Sequence, residues 1–375
     1  MSCVGVIANP QSGKDIRRLV ALASSFSNHE KLLIVRRVLA GLEAAGADEV
    51  LMLDDAGALG RAAAEAYRTG TGESGDMDGG GGRKKPRVCL LDVGARGEAE
   101  DTSRGAARMR EEGAACIVVL GGDGTSRAAA KGCGRCPLIP LSTGTNNAFS
   151  QNWEGTVAGL AAGFYARRPR RYSRQVTPSK RLRVHISGGV DLALVDLAVV
   201  NEAFAGSRAV WDIERIESLA LTRCLPGGLG LSAVGASLEP VGAEEPDGLW
   251  IDFAPSAGQK NRAGQKKSGR KRPGRKTKVL APVGPGLVQT ADIAGFRRIS
   301  PGEMIEISAR PHQVLAFDGE REYVLSEGER VGVELDRKGP RVLDVPALLE
   351  RAATGGHLSA LAAGGLKASE KSSKS

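Results

Sequence analysis

The sequence predicts an α/β domain built on a parallel, doubly wound sheet, followed by an all-β domain. Three observations carry that expectation. Residues 116–120, Cys-Ile-Val-Val-Leu, have the composition of a buried strand. They break abruptly into Gly121-Gly122-Asp123-Gly124-Thr125 and then into good helix formers at 126–131. Similar apolar runs alternate with helical patterns through the first 165 residues, as βαβ units do. From about Arg181 the period changes to short alternating segments separated by Gly and Pro turns.

Taken in order, residues 3–8 alternate small and β-branched side chains and read as the first strand. It ends at Asn9-Pro10-Gln11-Ser12-Gly13-Lys14, and 15–20 starts a helix. Gly13-Lys14 falls short of a P-loop, because the leading glycine and the following Ser or Thr are missing. Leu32, Val35, Val38, Leu39 and Leu42 recur at helical spacing within 31–45. A strand at 49–53 precedes a glycine-rich insert at about 69–86, which reads as flexible. A strand at 88–92 and a helix capped by Asp101-Thr102 lead to the strand at 116, after which Thr125 is the expected N-cap. The next strand, 138–141, opens into Ser142-Thr143-Gly144-Thr145-Asn146-Asn147, and a helix at 156–166 closes the domain at about 165.

In the second domain, 166–343, strands are expected at 182–186, 192–200, 250–253, 304–308 and 314–317. Asn201-Glu202 ends one of them, and Asp318-Gly319-Glu320 forms a tight turn. A C-terminal helix within 344–365 is expected to pack back on the first domain, ahead of a disordered tail at 366–375.

The formal charge of +9 has a single source. Ten basic residues and no acidic one lie between 256 and 278, and without them 42 basic residues face 43 acidic ones. That segment cannot bury a core and reads as a solvated, disordered insert. Aromatic residues make up only 4% of the chain, too few for a base-stacking platform, so no stable nucleic-acid partner is expected. The six cysteines include a lone Cys133-Gly-Arg-Cys136, which without a second pair argues against zinc. No apolar run approaches 18 residues and no secretory signal precedes the first strand. A cytoplasmic chain with no membrane insertion is therefore expected, its partners being a small molecule and, at most, further copies of itself.

The chemistry concentrates at the strand ends, beyond which doubly wound sheets bind ligands. Asn9, Gly94 and Gly122 sit at such ends. A strand, a glycine turn and a helix start turn backbone N–H groups and the helix dipole toward an anion. Glycines there permit positive φ and close approach of a ligand. The loops at 121–125 and 142–147 can clamp a polyphosphate from two sides. Asp123 is out of place in a phosphate site unless it binds a metal or accepts a proton, which points beyond anion binding. The competing reading is a plain turn in which Asp123 only caps its helix.

Together, Asn9-Pro10-x-Ser12-Gly13, Gly121-Gly122-Asp123-Gly124-Thr125, Asn201-Glu202 and Asp318-Gly319-Glu320 resemble the superfamily of NAD kinases, diacylglycerol kinases and sphingoid-base kinases. Within it, they most resemble the ATP-NAD kinase-like group named after the acetoin-catabolism protein X. The resemblance implies an ATP-binding α/β domain, a β-sandwich domain and an active site between them, with ATP and Mg²⁺ as cofactors. It implies that Asp123 acts on the acceptor hydroxyl or the metal. Asn9, Gly121, Gly122, Gly124, Thr125, Thr143, Gly144, Thr145 and Asn146 would hold the nucleotide. Asn147, Asn201 and Glu202 would hold the acceptor, and Asp318 and Glu320 the metal. The segment nearest to the Gly-Ser-Thr-Ala-Tyr stretch of NAD kinases, 226–232, lacks the Thr and the Tyr, and 142–147 is nearer to the Gly-Thr-x-Asn loop of lipid kinases. The acceptor implied is therefore NAD or a related small metabolite, with a lipid as the alternative. A nucleotide-binding regulator without turnover is the reading from outside the enzymes.

Overall fold

The fold is that of a computed structural model, which describes residues 1–13, 22, 26–70, 85–143, 147–201, 212–255 and 277–358. β1 (Cys3–Ala8) is buried along its whole length. α1 (Asn28–Ala45) starts with a capping box between Ser27 and Glu30. β2 (Glu49–Leu53), α2 (Leu59–Thr69), β3 (Arg87–Leu91), α3 (Ala99–Glu111), β4 (Cys116–Gly121), α4 (Asp123–Gly132), β5 (Leu138–Ser142) and α5 (Gly155–Arg167) continue the alternation. The strands pair in parallel in the order β3-β2-β1-β4-β5. Val4, Val6, Val118 and Leu120 pack on one face against residues of α1 and α5. Ile7, Ile117 and Val119 pack on the other against residues of α3 and α4. Burial on both faces is why these strands read as unbroken apolar runs. α3 begins ahead of the expected cap: Asp101 lies inside it, and its Oδ2 accepts from the N–H groups of Arg96, Gly97 and Glu98.

The second half contains β6 (Val176–Pro178), β7 (Arg181–Ile186), β8 (Gly189–Ala193), β9 (Asp196–Asn201), β10 (Ile216–Leu221) and α6 (Ser232–Ala236). It continues through β11 (Gly248–Phe253), β12 (Thr277–Gly284), β13 (Leu287–Ile299), β14 (Met304–Ser308), β15 (Gln313–Phe317), β16 (Glu320–Val324) and β17 (Arg330–Asp336). The last elements are β18 (Arg341–Leu343) and α7 (Val345–Thr354). Two antiparallel sheets, β12-β13-β11-β10-β9-β15-β16 and β14-β17-β7-β8, form a sandwich. Leu197, Val199, Leu315 and Phe317 of the larger sheet meet Leu182, Val184, Val331 and Val333 of the smaller one. Their alternate neighbours Ala198 and Val200 point the other way, into a cluster with Leu219, Leu221 and Val234.

Several expectations change here. The expected strand 192–200 is two strands, β8 and β9, broken at Leu194-Val195. The boundaries expected at 166 and 343 are crossed, because β18 pairs with β5 and β6 pairs with β18, extending the first sheet. Three-residue strands are too short to show a period. Val345, Leu348 and Ala352 of α7 join the first domain's core beside Tyr165 and Ala166. The helix expected at 15–20, most of both inserts (71–84 and 256–276) and the tail lie outside the described residues. Among the described residues no helix is long and apolar enough to cross a membrane.

Candidate active site

Parallel pairing brings three strand ends to one edge of the first sheet. Asn9 N–H donates to Leu120 O, and Thr143 N–H donates to Gly121 O at the register Gly121–Ser142. Side chains then join the three ends. Asn9 Nδ2 donates to Thr125 Oγ1 at 2.9 Å, and Asn9 Oδ1 accepts from Gln11 N–H. Thr143 Oγ1 donates to Ser12 Oγ at 3.1 Å, which donates to Asn9 O. Asn147 Nδ2 donates to Ser142 Oγ, and its Oδ1 accepts from Asp123 N–H at 3.2 Å. The loops after β4 and β5 are therefore stitched to each other, as their expected closeness required.

α4 starts earlier than the sequence suggested. Its N-cap is Gly122 and Asp123 is its first residue, so Thr125 lies within the first turn. The first i to i−4 bond runs from Ser126 N–H to Gly122 O, so the N–H groups of Gly124 and Thr125 precede it. Gly121, Gly122 and Gly124 do not have positive φ. They are glycines for proximity: a Cβ on Gly121 would lie 2.5 Å from Thr125 Cβ, and one on Gly122 would lie 3.1 Å from Asn147 Oδ1.

Asp123 caps a different segment from its own helix. Oδ1 accepts from Phe149 N–H at 3.1 Å and Ser150 N–H at 2.8 Å, and Oδ2 accepts from Ala148 N–H at 2.7 Å. Burial raises its carboxyl above the usual range, opposed by these donors and by the positive charge of Arg223.

The facing wall comes from the sandwich. Asp318 and Gly319 form the two-residue turn between β15 and β16 at φ 49° and 81°, the left-handed pair that an Asp-Gly hairpin supplies. Asp318 Oδ1 accepts from Leu194, Val195 and Asp196 N–H at 2.7–3.2 Å, and Leu194 N–H also reaches Oδ2. At the break between β8 and β9 the chain passes from the smaller sheet to the larger, and its freed N–H groups meet this carboxyl. Burial pushes it up to about 7, against the pull of Arg127 and the backbone donors and with Asp123 adding to the rise. A polar cavity runs between the walls, lined by Asp123 and Ala148 on one side and by Asp196, Asp318 and the loop at 229–232 on the other.

Arg127 of α4 pins the two walls together. It is buried, ion-pairs with Asp191 at 2.7 Å, donates to Leu192 O and stacks 4.4 Å from the centre of the Phe317 ring. Arg223, just past β10, reaches the first domain, its guanidinium 5.2 Å from the centre of the Phe149 ring. Sequence patterning missed both arginines, since an isolated basic residue carries no local signal.

The expected site residues divide accordingly. Asn9, Gly121, Gly122, Gly124, Thr125, Thr143, Asn147, Asp123 and Asp318 gather at the cleft. Glu320 joins them, its Oε1 standing 3.4 Å from where a Cβ on Gly124 would be. Asn201 does not. It pairs with Gln313 at the far end of β9, whereas Leu197 pairs with Phe317, so about 17 Å of strand separate it from Asp196. Gly144, Thr145, Asn146 and Glu202 lie outside the described residues. Among the described residues no three His, Cys, Asp or Glu side chains are grouped to cage a metal. Of the two carboxylates expected to hold a metal, Asp318 already serves backbone donors, and Glu320 stands beside Gly124.

Known protein families match the chain in two consecutive stretches. Residues 4–168 match the ATP-NAD kinase N-terminal domain, and residues 180–338 match the acetoin catabolism protein X C-terminal domain. Acetoin catabolism protein X of Cupriavidus necator is 36% identical over 361 residues, covering 93% of this chain and 92% of that one. Among solved structures, yeast NADH kinase complexed with NADH gives a TM-score of 0.45 at 12% identity, covering 100% of this chain and 90% of that one. An NAD kinase from Archaeoglobus fulgidus in complex with ATP gives 0.34 at 15% identity, covering 81% and 96%.

Proposed function

Because this chain belongs to the acetoin catabolism protein X family, we propose that it is an ATP-dependent kinase phosphorylating a hydroxyl of NAD or a related small metabolite. Its N-terminal half carries the ATP-NAD kinase domain. The observation that supports the reading best is the meeting of Asp123, at the glycine-loop end of β4, with Asp318 of the second domain in one cavity. Such a cleft suits phosphoryl transfer, which needs positioning and charge neutralisation more than covalent chemistry.

In this reading the nucleotide phosphates lie against the N–H groups at the start of α4 and against Thr125 and Thr143. Glu320 and Asp318 would be the residues to hold Mg²⁺, which would supply positive charge to offset that of the phosphates. Two donors on Asp123 Oδ1 and one on Oδ2 leave Oδ2 a lone pair for the acceptor hydroxyl. As the acceptor oxygen bonds to the γ-phosphorus and the bond to ADP breaks, the hydroxyl proton passes to Asp123. Its raised affinity for a proton suits that role.

The test is incubation with ATP and Mg²⁺ against NAD, NADH, simple polyols and lipids, following ADP release. Acceptor-dependent turnover is expected. ATP bound without ADP formed from any acceptor would identify a regulator instead, and turnover confined to lipids would move the acceptor class. For NAD itself, Asn201-Glu202 is the proposed adenosine contact, although Asn201 stands about 17 Å of strand from Asp196. Glu202→Gln should weaken NAD binding by on the order of 1–3 kcal/mol in a calorimetric titration, as loss of a charge-assisted hydrogen bond does. Equal affinities would remove Glu202 as its contact, and no heat from either protein would remove NAD from consideration.

A further inference from the structure

Beside the residues that line the cleft lies a cation that the reading above does not use, Arg223. Arg223 follows Thr222, whose N–H donates to Val195 O and whose Oγ1 donates to Leu194 O. Leu194 and Val195 are the residues whose own N–H groups hold Asp318. On its other side the guanidinium faces the ring of Phe149, whose N–H holds Asp123. Arg223 therefore sits between two aspartate cradles, one from each domain.

One of its donors is unpaired: Nε is buried and has no hydrogen-bond partner among the described residues. The carboxylates nearest in charge are Asp123, Glu244 and Asp318. Asp123 and Asp318 are already committed to backbone N–H groups, so they attract the guanidinium without saturating it. Two neighbouring cations are employed otherwise. Arg127 is bound to Asp191 and Leu192 O, and Lys180 Nζ donates to Gly242 O and Asp247 O. A buried guanidinium donor without an acceptor is costly, and a ligand oxyanion is the group that completes it.

We propose that Arg223 is the oxyanion receptor of the cleft, its planar fork taking phosphoryl oxygens between the two aspartate cradles. The fork matches a phosphate in two places at once, which a lysine cannot do. The phosphoryl group has two sources, the γ-phosphate of ATP or a phosphate that the acceptor already carries. In the second case the acceptor is a phosphorylated hydroxy compound. The choice of sources rests on the kinase reading; the oxyanion site itself does not.

Calorimetric titration with inorganic phosphate, ADP and the β,γ-imido analogue of ATP tests it in wild type, Arg223→Gln and Arg223→Lys, with melting temperature as the check on folding. Arg223→Gln is expected to weaken phosphate binding at least tenfold, and Arg223→Lys to restore only part of it. If the source is ATP, wild type prefers the imido analogue to ADP, Arg223→Gln loses that preference, and the analogue blocks free phosphate. If the source is the acceptor, phosphate still binds beside saturating imido analogue, and Arg223→Gln abolishes this without changing affinity for the analogue. Should Arg223→Gln fail to fold, Arg223→Lys carries the test with at least a threefold weakening expected. Unchanged affinity for both phosphate and the imido analogue in the variants overturns the proposal. Phosphate binding that depends on Arg223 in a protein that does not bind ATP overturns the kinase reading alone.

Discussion

Asp123 and Asp318 face each other from different domains and are built alike. Each is buried, with 9% and 8% of its surface exposed, and each carboxylate accepts from three consecutive N–H groups, at 148–150 and 194–196. The supports differ. Asp123 opens a helix, where the dipole favours negative charge, and its loop is held by side-chain contacts through Thr125 and Asn147. Asp318 sits on left-handed backbone in a two-residue turn, and its neighbouring cation, Arg127, is already shared with Asp191. The same cage can therefore be secured by contacts or by backbone conformation, and the two cages should fail in different ways.

The largest expected effect separates chemistry from architecture. Asp123→Asn should lower kcat by roughly two orders of magnitude or more while ATP still binds, as loss of a proton acceptor does. An active variant would reduce Asp123 to a clamp on 148–150. The next effect breaks the first cage by contact. Gly121→Ala puts a Cβ 2.5 Å from Thr125 Cβ, and overpacking of this kind costs about 1–3 kcal/mol in denaturant unfolding. A neutral result would mean that α4 can retreat from the strand end.

Breaking the second cage should cost less. Gly319→Ala keeps the fold but strains φ at 81°, a cost of about 1–2 kcal/mol in the same measurement. If it costs more than Gly121→Ala, the contrast between the two cages is wrong. The last effect is one of pH. The folded protein holds the Asp318 proton up to about pH 7, whereas the unfolded chain releases it near the ordinary carboxyl value of 3.8. Stability from this group is therefore full at low pH, falls as pH rises through that window and is level above it. Asp318→Asn keeps an acceptor for the three donors on Oδ1 and removes the titration. The melting temperature of wild type should fall by a few degrees relative to this variant between about pH 4.5 and 7.5. Parallel pH curves would show that Asp318 is ionised throughout.

Much of this was legible in the residues. A strand covered on both faces must be apolar along its length, so 116–120 announced itself, as did the glycine loop after it and the Asp-Gly hairpin turn at 318–319. The kinase-like resemblance drew on the same short motifs. The alternation of Leu197 and Val199 with Ala198 and Val200 also marked a sandwich strand, because each set fills a different core.

What the tertiary structure alone decided are the relations between distant residues. Thr125 had the composition of a cap, yet Asn147 holds the Asp123 N–H and the helix starts at Asp123. The apolar run 192–200 shows no sign of its break, where the chain crosses between two sheets and its N–H groups meet Asp318, 124 residues from Leu194. β6 and β18 are strands only because the edge of the first sheet is there to receive them. Arg127 and Arg223 acquire their meaning from Asp191, Phe317 and Phe149, none of which is near them in the chain. Periodicity records which face of an element is buried. It carries no term for which distant donor meets which acceptor, and buried charges and hydrogen bonds are settled by that pairing.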